Sequence, residues 1–412
     1  MEPLIDVTVR GIASGGAGVA DLPDGRVVFV PRTAPGDRVS IRLVKSRPRW
    51  AEGALEHIEE PSGDRQSALC ALYDTCGGCQ LQHLPYEQQV HWKGRIVADA
   101  LTRIGHMTDV QPPEVVHSPR ETEYRNRVSF TLRRLRGGLV VAGFHALGRP
   151  AHVIDVKGEC VLPRPALQGA WKALRLGWGQ GARLLPASGR LRLTLRETSE
   201  GVALVVDGGQ DAWSAKELSA AVPSLSAIWH RSGAATSEPR LLTGVFDEGG
   251  PAFVQVNPEV ATMMRDRVVE VAGEGTRAVD AYCGVGGYGR ALAEKGWDVT
   301  GIERDPGACT QAEREAPTGF SVLQGTVESL LPKALPADLL IVNPPRTGLD
   351  PDTIAVIAGG GARRVVYVSC DPATLARDVA GLAGSYAVES VVCFDLFPQT
   401  AHVETVLVMT AR

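Results

Sequence analysis

Apolar and polar residues alternate along the first 60 or so positions in short runs. "IDVTVRGI", "GRVVFVP", "DRVSIRLVK" and "EGALEHIEE" are each interrupted by Gly or Pro. Period-two alternation in runs this short predicts β-strands, and about five of them in that length make a small barrel of the OB type. From about 90 to 250 the rhythm is mixed. "QVHWKGRIVADALTRIG" has helical spacing, "YRNRVSFTLRRLRGGLVVAGFHALG" predicts a hairpin around Gly137-Gly138, and "RLRLTLRETSEGVALVVDG" predicts a second. From about 250, strands alternate with helices. "RAVDAYCGVGGYGRALAEKG" is a strand, a glycine turn and a helix. "DVTGIERD", "ADLLIVNPPRTG" and "RRVVYVSCD" are further strands, and "HVETVLVMTAR" is expected as a final edge strand. Such alternation predicts a doubly wound, Rossmann-like α/β sheet. The division implied is 1–62, an OB-like barrel; 63–250, a central α+β domain; and 251–412, the α/β domain.

At 412 residues the chain is long enough for two or three domains, and 44% hydrophobic with 22% charged residues describes a globular protein. No apolar run approaches the roughly 20 residues that cross a bilayer, and "MEPLIDVTVRG" lacks the pattern of a signal peptide. A cytoplasmic protein without a membrane partner is expected, as a monomer by default. The net charge of −4 argues against a nucleic-acid binder, but the charge is segregated. Residues 26 to 49 hold seven basic side chains and one acid, and residues 120 to 149 hold seven arginines and two glutamates. Segregation of this kind builds phosphate-binding faces, with Arg125 and Arg127 as candidate RNA contacts.

In a reducing compartment the eight cysteines are not expected to form a disulfide framework. Cys70, Cys76 and Cys79 have C-x5-C-x2-C spacing around Gly77-Gly78, and Cys160 is the nearest fourth thiolate. Four cysteines could hold zinc or a four-iron, four-sulfur (4Fe-4S) cluster. A fourth ligand standing alone, rather than in a second C-x2-4-C arm, favours iron–sulfur.

In the α/β region, the turn D-x3-G-x-G-G from Asp280 through Tyr282, Gly284 and Gly286 differs from the G-x-G-x-x-G of dinucleotide enzymes. Glu303, at the end of the next strand, could accept ribose hydroxyls. Together with Asn343 of Asn-Pro-Pro, and with Gln255 and Asn257 of "FVQVN", this pattern suits S-adenosyl-L-methionine better than NAD.

The motifs "CGGCQLQH", "FVQVN", "DAYCGVGG", "NPPRTGLD", "SCDPATLARD" and "FPQTAHVETV" occur in the order found in RNA 5-methyluridine methyltransferases. Across nearly its whole length the chain resembles the iron–sulfur type that acts on 23S ribosomal RNA, and residues 1–62 resemble the TRAM domain of such enzymes. The resemblance implies that Cys370, in "VVYVSCDPATLARD", adds to C6 of uracil so that C5 becomes nucleophilic. A thiolate suits that step because it is accessible near neutral pH. It further implies that Glu404 removes the C5 proton, and that the target base is flipped out of its stack. The family reads Asp where Asn343 stands, a loss of charge that supports two rivals. One is an N-methyltransferase of the Asn-Pro-Pro type, although Arg346 replaces its stacking aromatic. The other is a non-catalytic RNA-binding factor. A transfer-RNA 5-methyluridine enzyme shares the catalytic motifs and is a third alternative.

Overall fold

The alternating N-terminal runs close on themselves. In the computed structural model, which describes residues 4–233, 239–244 and 255–412, five strands form a barrel in the order β1-β2-β3-β5-β4. These are β1 (Ile5–Ile12), β2 (Gly18–Asp21), β3 (Val27–Val30), β4 (Arg38–Ser46) and β5 (Trp50–Glu60). Val7, Val9, Val28, Val30, Val39 and Ile41 point inward and fill it. Closure removes the exposed edges that a five-stranded sheet would otherwise present. Gly18 is needed at the β1–β2 turn, because a Cβ there would lie 1.9 Å from Thr33 Oγ1.

Contacts divide the chain into two units. Met1–Arg65, Leu84–Pro119 and Glu259–Arg412 form the first, and Gln66–His83 with Arg120–Pro258 form the second. The first unit adds α1 (Tyr86–Arg103) and β6 (Glu114–Val116) to the barrel. The helical spacing read in "QVHWKGRIVADALTRIG" buries Val90, Val97 and Leu101 on one face.

The second unit is built on β7 (Arg127–Arg134), β8 (Val140–Gly143), β9 (His145–Ala146), β10 (Arg149–Val153), α2 (Pro165–Gly177), β11 (Arg190–Thr198), β12 (Gly201–Asp207), α3 (Ala215–Ala221), β13 (Leu225–Arg231) and β14 (Arg240–Gly244). Both expected hairpins are present, as the antiparallel pairs β7–β8 and β11–β12. They join a six-stranded sheet of order β14-β13-β12-β11-β7-β8. Phe130, Leu132, Leu193, Leu195, Leu204 and Val206 bury one face against α2 and α3. Arg127, Arg192, Arg196 and Arg231 alternate onto the other.

The rest of the first unit is α4 (Pro258–Glu270), β15 (Arg277–Ala281), α5 (Gly287–Ala293), β16 (Asp298–Glu303), α6 (Pro306–Arg314), β17 (Phe320–Gln324), α7 (Val327–Ala334), β18 (Ala337–Val342), α8 (Pro351–Ala358), β19 (Ala362–Ser369), α9 (Pro372–Leu382), β20 (Tyr386–Phe394) and β21 (Glu404–Ala411). The strands form one sheet of order β17-β16-β15-β18-β19-β21-β20-β6. This is the expected Rossmann-like arrangement, with one correction. The C-terminal run expected at an edge is internal, antiparallel to both β19 and β20. Val406 and Val408 face one apolar layer, and Leu407 and Met409 face the other. A strand buried on both faces belongs inside a sheet. The edges are β17 and the three-residue β6. The 250/251 division expected from the sequence, like Phe253 and Val254 of "FVQVN", lies outside the described residues. Among the described residues no helix is long and apolar enough to cross a membrane.

Gly289, inside α5, gives a test of this packing. Gly→Ala in a helix ordinarily stabilises by about 0.5–1 kcal/mol. Here the added Cβ would lie 2.6 Å from Phe320 and 3.0 Å from Asp280 Oδ2. Gly289→Ala is expected to reverse the usual sign and lower the melting temperature, measured by calorimetry.

Candidate functional site

The parallel strands β15, β16, β18 and β19 end at the same edge of the sheet. Because β21 runs against them, its first residue reaches that edge as well. Two groups of candidate residues gather there.

The first group surrounds the glycine turn. β15 stops at Ala281, and Tyr282 (φ 63°) and Gly286 (φ 81°) take left-handed backbone before α5 begins. Asp280 is fully buried. Its Oδ2 accepts the Gly289 N–H at 2.8 Å, while Oδ1 has no partner among the described residues. Burial pushes its carboxyl up to about 7, with the Gly289 hydrogen bond opposing and the Glu303 charge adding. Glu303 is the last residue of β16. Its Oε2 accepts the Gly284 N–H at 2.9 Å, and its Oε1 accepts Arg304 and Asp305 N–H, each at 2.7 Å. A Cβ added at Gly284 or Gly287 would meet nothing within 4 Å, so the turn borders open space. Asn343, half-buried after β18, donates its backbone N–H to Ala281 O at 3.2 Å and ties the two strand ends together. A buried carboxylate oxygen without a donor, beside a turn that has room for a ligand, fits a hydrogen-bonding cofactor.

The second group is Cys370, Glu404 and Arg346. "SCDP" folds as a strand end and a helix cap. Asp371 Oδ1 accepts Ala373 and Thr374 N–H at 2.9 and 3.0 Å, and Pro372 opens α9. Ser369 Oγ donates to Asp371 O at 3.0 Å and fixes the bend. Cys370 therefore stands half-buried at the end of β19. Ser369 pairs with Thr405, so the same register carries Cys370 opposite Glu404. Glu404 is only 5% exposed, and burial pushes its carboxyl up to about 8, with Arg346 opposing. The Cys370 thiol is pushed up by burial first and by the Glu404 charge second, and Arg346 pulls it back. One guanidinium thus acts on both groups.

Arg346 was met in the sequence only as a departure from another motif, and the structure makes it a member of the site. Its loop is held from α9. Asp378 Oδ2 accepts Leu349 N–H at 2.7 Å, and Arg377 Nη2 donates to Thr347 O and Leu349 O at 3.0 and 3.2 Å. Tyr288, on α5, is a second residue not read from the sequence. Burial raises its phenol first, and the charges of Glu404 and Asp280 add, so it lies within electrostatic reach of both groups.

The remaining candidates lie in the second unit. Cys70, Cys79 and Cys160 pack together with Tyr73, Tyr124 and Leu162. Burial raises Cys79 to about 11 and Cys160 to about 12; Cys79 also senses Arg125, Cys76 and Cys70, and Cys160 senses Cys79, Arg125 and Cys70. Four thiols in one pocket have the donor chemistry of a metal or cluster site. Among the described residues, however, no group of three or more His, Cys, Asp or Glu is arranged to hold a metal ion. Arg125 faces these thiols and the Tyr124 ring, 5.6 Å from the ring centroid. Arg127 instead lies among Arg192, Arg196 and Arg231 on the sheet. Gln255 is half-buried, and its neighbour Val256 accepts the Asn126 N–H at 2.9 Å.

Residues 4–55 match the TRAM domain family, and residues 327–412 match the tRNA (Uracil-5-)-methyltransferase family. An RNA methyltransferase of Halalkalibacterium halodurans is 32% identical, covering 99% of this chain and 97% of its own length. One from Thermosynechococcus vestitus is 32% identical over 98% of each. The crystal structure of Pyrococcus abyssi tRNA (uracil-54, C5)-methyltransferase with S-adenosyl-L-homocysteine shares the fold, at a TM-score of 0.73 and 24% identity over 98% of this chain and 100% of that one. With a TRAM barrel at its N-terminus, the matched catalytic segment at its C-terminus and full-length relatives of this kind, the chain belongs to the RNA uracil-5-methyltransferase family.

Proposed function

We propose that the protein transfers a methyl group from S-adenosyl-L-methionine to C5 of a uridine in RNA, with Cys370 as nucleophile and Glu404 as base. The observation that carries this reading is the β19–β21 register, which sets a half-buried thiol opposite a buried carboxylate. The Cys370 sulfur bonds to C6 of uracil, and the C5=C6 electron pair moves onto the C4 carbonyl oxygen as an enolate. Arg346 favours the thiolate for this step. C5 then bonds the methyl group, and the sulfonium leaves as a neutral thioether. The Glu404 carboxylate takes the remaining C5 proton, C5=C6 re-forms, and the C6–S bond breaks to return the thiolate. Burial suits Glu404 to the task, since a carboxyl raised to about 8 is a stronger base once ionised than an ordinary one.

Asp280 Oδ1 and the open space at Gly284 support the donor's placement at the glycine turn. Asn343 keeps an acceptor oxygen at the position where the family carries Asp.

Ribosomal RNA is the proposed substrate, on the strength of the barrel and the cysteine set, with the protein acting as a monomer on a flipped-out base. Arg127 and its neighbours on the sheet would hold flanking phosphates. Cys70, Cys76, Cys79 and Cys160 are proposed to hold a 4Fe-4S cluster whose part is structural. The packing of Cys70, Cys79 and Cys160 in one cluster supports this.

Three measurements test this reading. With labelled methyl donor and transcripts of ribosomal RNA and tRNA, digestion should yield 5-methyluridine from ribosomal RNA, and Cys370→Ala should abolish it. N6-Methyladenosine would point instead to the Asn-Pro-Pro rival, and no product to a non-catalytic factor. Glu404→Gln should accumulate a denaturant-resistant protein–RNA adduct, since addition and methylation precede the missing step. Wild-type elimination should quicken as pH rises through about 8.

The same shift predicts a stability effect. The native carboxyl binds its proton up to about 8, whereas the unfolded one releases it near 4.5. The stability contributed by protonated Glu404 is complete below 4.5 and is lost as pH rises through about 8. Glu404→Gln, neutral at every pH, should therefore melt higher than wild type above pH 8, with the gap closing on acidification. Chemical analysis of anaerobically purified protein should give about four irons and four sulfides per chain. Zinc in their place would overturn the cluster assignment.

A further inference from the structure

The nine-residue connection between β20 and β21, residues 395 to 403, delivers Glu404 to the sheet edge. It closes on the pair Phe394↔Glu404. The catalytic scheme leaves most of its motif, "DLFPQTAHV", without a task. The connection is deeply buried, and α1 reaches into it with two polar side chains one helical turn apart. Lys93 is fully buried. Its Nζ donates to Asp395 Oδ1 at 2.5 Å and to Phe397 O at 3.1 Å. Gln89, also fully buried, is bonded reciprocally to Gln399: its Nε2 donates to Gln399 Oε1 at 3.0 Å, and its Oε1 accepts the Gln399 N–H at 2.9 Å. A further bond from Gln89 Nε2 to Leu84 O, 2.9 Å, anchors the pair to the start of the helix. Gln399 has left-handed backbone, φ 69°, a conformation its own side chain does not favour. Thr400 Oγ1 completes the turn with a bond to Phe397 O at 2.8 Å.

Apolar side chains alone would bury this segment more cheaply. Fully buried polar partners fix which atom meets which, where apolar contacts tolerate sliding. On the scheme above, proton abstraction requires the Glu404 oxygens to sit within hydrogen-bond reach of one carbon. A displacement of about 1 Å there can cost about a hundredfold in rate.

We propose that Gln89 and Lys93 are positioning residues which, by locking residues 395–399 onto α1, set where Glu404 stands for the elimination step. This rests on the assignment of Glu404 as base. Loss of the lock slows elimination more than addition or methyl transfer, so the lesion resembles that of Glu404 itself.

The test uses the full-length protein with transcribed ribosomal RNA and tRNA. Gln89→Leu should keep single-turnover methyl transfer within about threefold of wild type. Its kcat should fall about tenfold while kcat/KM, set by the steps up to methyl transfer, stays within about threefold, so that KM falls with kcat. The protein–RNA adduct should accumulate in step. Lys93→Met alone strands Asp395 and endangers folding, so the second variant is Lys93→Met/Asp395→Leu, which removes both charges together. It should remain folded by circular dichroism and still accumulate adduct. A merely structural lock would instead give variants whose kcat recovers once they are folded, with no adduct. Adduct in Glu404→Gln but none in either folded lock variant overturns the positioning role and leaves the base assignment standing. No adduct in Glu404→Gln overturns the base assignment, and the positioning role with it.

Discussion

The site depends on one reversal of strand direction. Parallel strands can bring only their own C-terminal ends to the ligand edge of an α/β sheet. β21 runs antiparallel between β19 and β20, and so it presents its first residue where the others present their last. That places a carboxylate opposite the thiol at the end of β19, although 33 residues separate them in the chain. The pairing is strongly specified. A slip by one residue would turn Val406 and Val408 from one apolar layer into the other and would turn Glu404 away from the cleft. Core packing and the juxtaposition of Cys370 with Glu404 are therefore set by the same register.

Within that frame the electrostatics run against stability. Two carboxyl groups, Asp280 and Glu404, are buried deeply enough to be raised to about 7 and about 8, and the Cys370 thiol is raised as well. A core selected only for stability would hold none of them. Arg346 moderates both Cys370 and Glu404 from an exposed loop, and that loop is pinned by Asp378, Arg377 and Tyr367. The charge stays hydrated while its field reaches the buried pair. A buried guanidinium would carry a desolvation cost of its own. The buried Tyr288 phenol senses the charges of both acidic groups.

Much of this was legible in the sequence because it is local. The barrel came from period-two alternation, the glycine turn from its spacing, and the position of Cys370 from an apolar run that stops at Ser-Cys-Asp-Pro. The failures are of pairing. β21 was expected at the edge because its neighbour "YAVESVVCF" alternates weakly and was not recognised as a strand. β6 contributes only three residues, too few to carry a period. Arg346 and Tyr288 have unremarkable local sequence, and their roles arise from elements brought beside them by the sheet. Gln89 and Lys93 did carry a signal. They fall on the same face of α1 as Val90, Val97 and Leu101, and polar side chains on an apolar face call for buried partners. Nothing in the helix points to partners some 300 residues away.

Charge shows the same limit most sharply. The seven arginines between 120 and 149 suggested a continuous basic face. Arg134, however, donates to five backbone carbonyls, among them Gly181 O and Ser188 O, and acts as a staple for that loop. Arg133 donates to Ala151 O at 2.8 Å, and Arg125 turns to Tyr124 and the thiols. Arg127 stands instead among arginines that come from elsewhere in the chain. The β7–β11 register pairs it with Arg196, while Arg192 and Arg231 approach from β11 and β13. Arg192, Arg196 and Arg231 each lower the Arg127 guanidinium through like-charge repulsion, after burial, while Asp207 opposes them. The cluster of arginines in this unit is thus a product of strand order, and a count of charges along the chain finds the residues without finding the cluster.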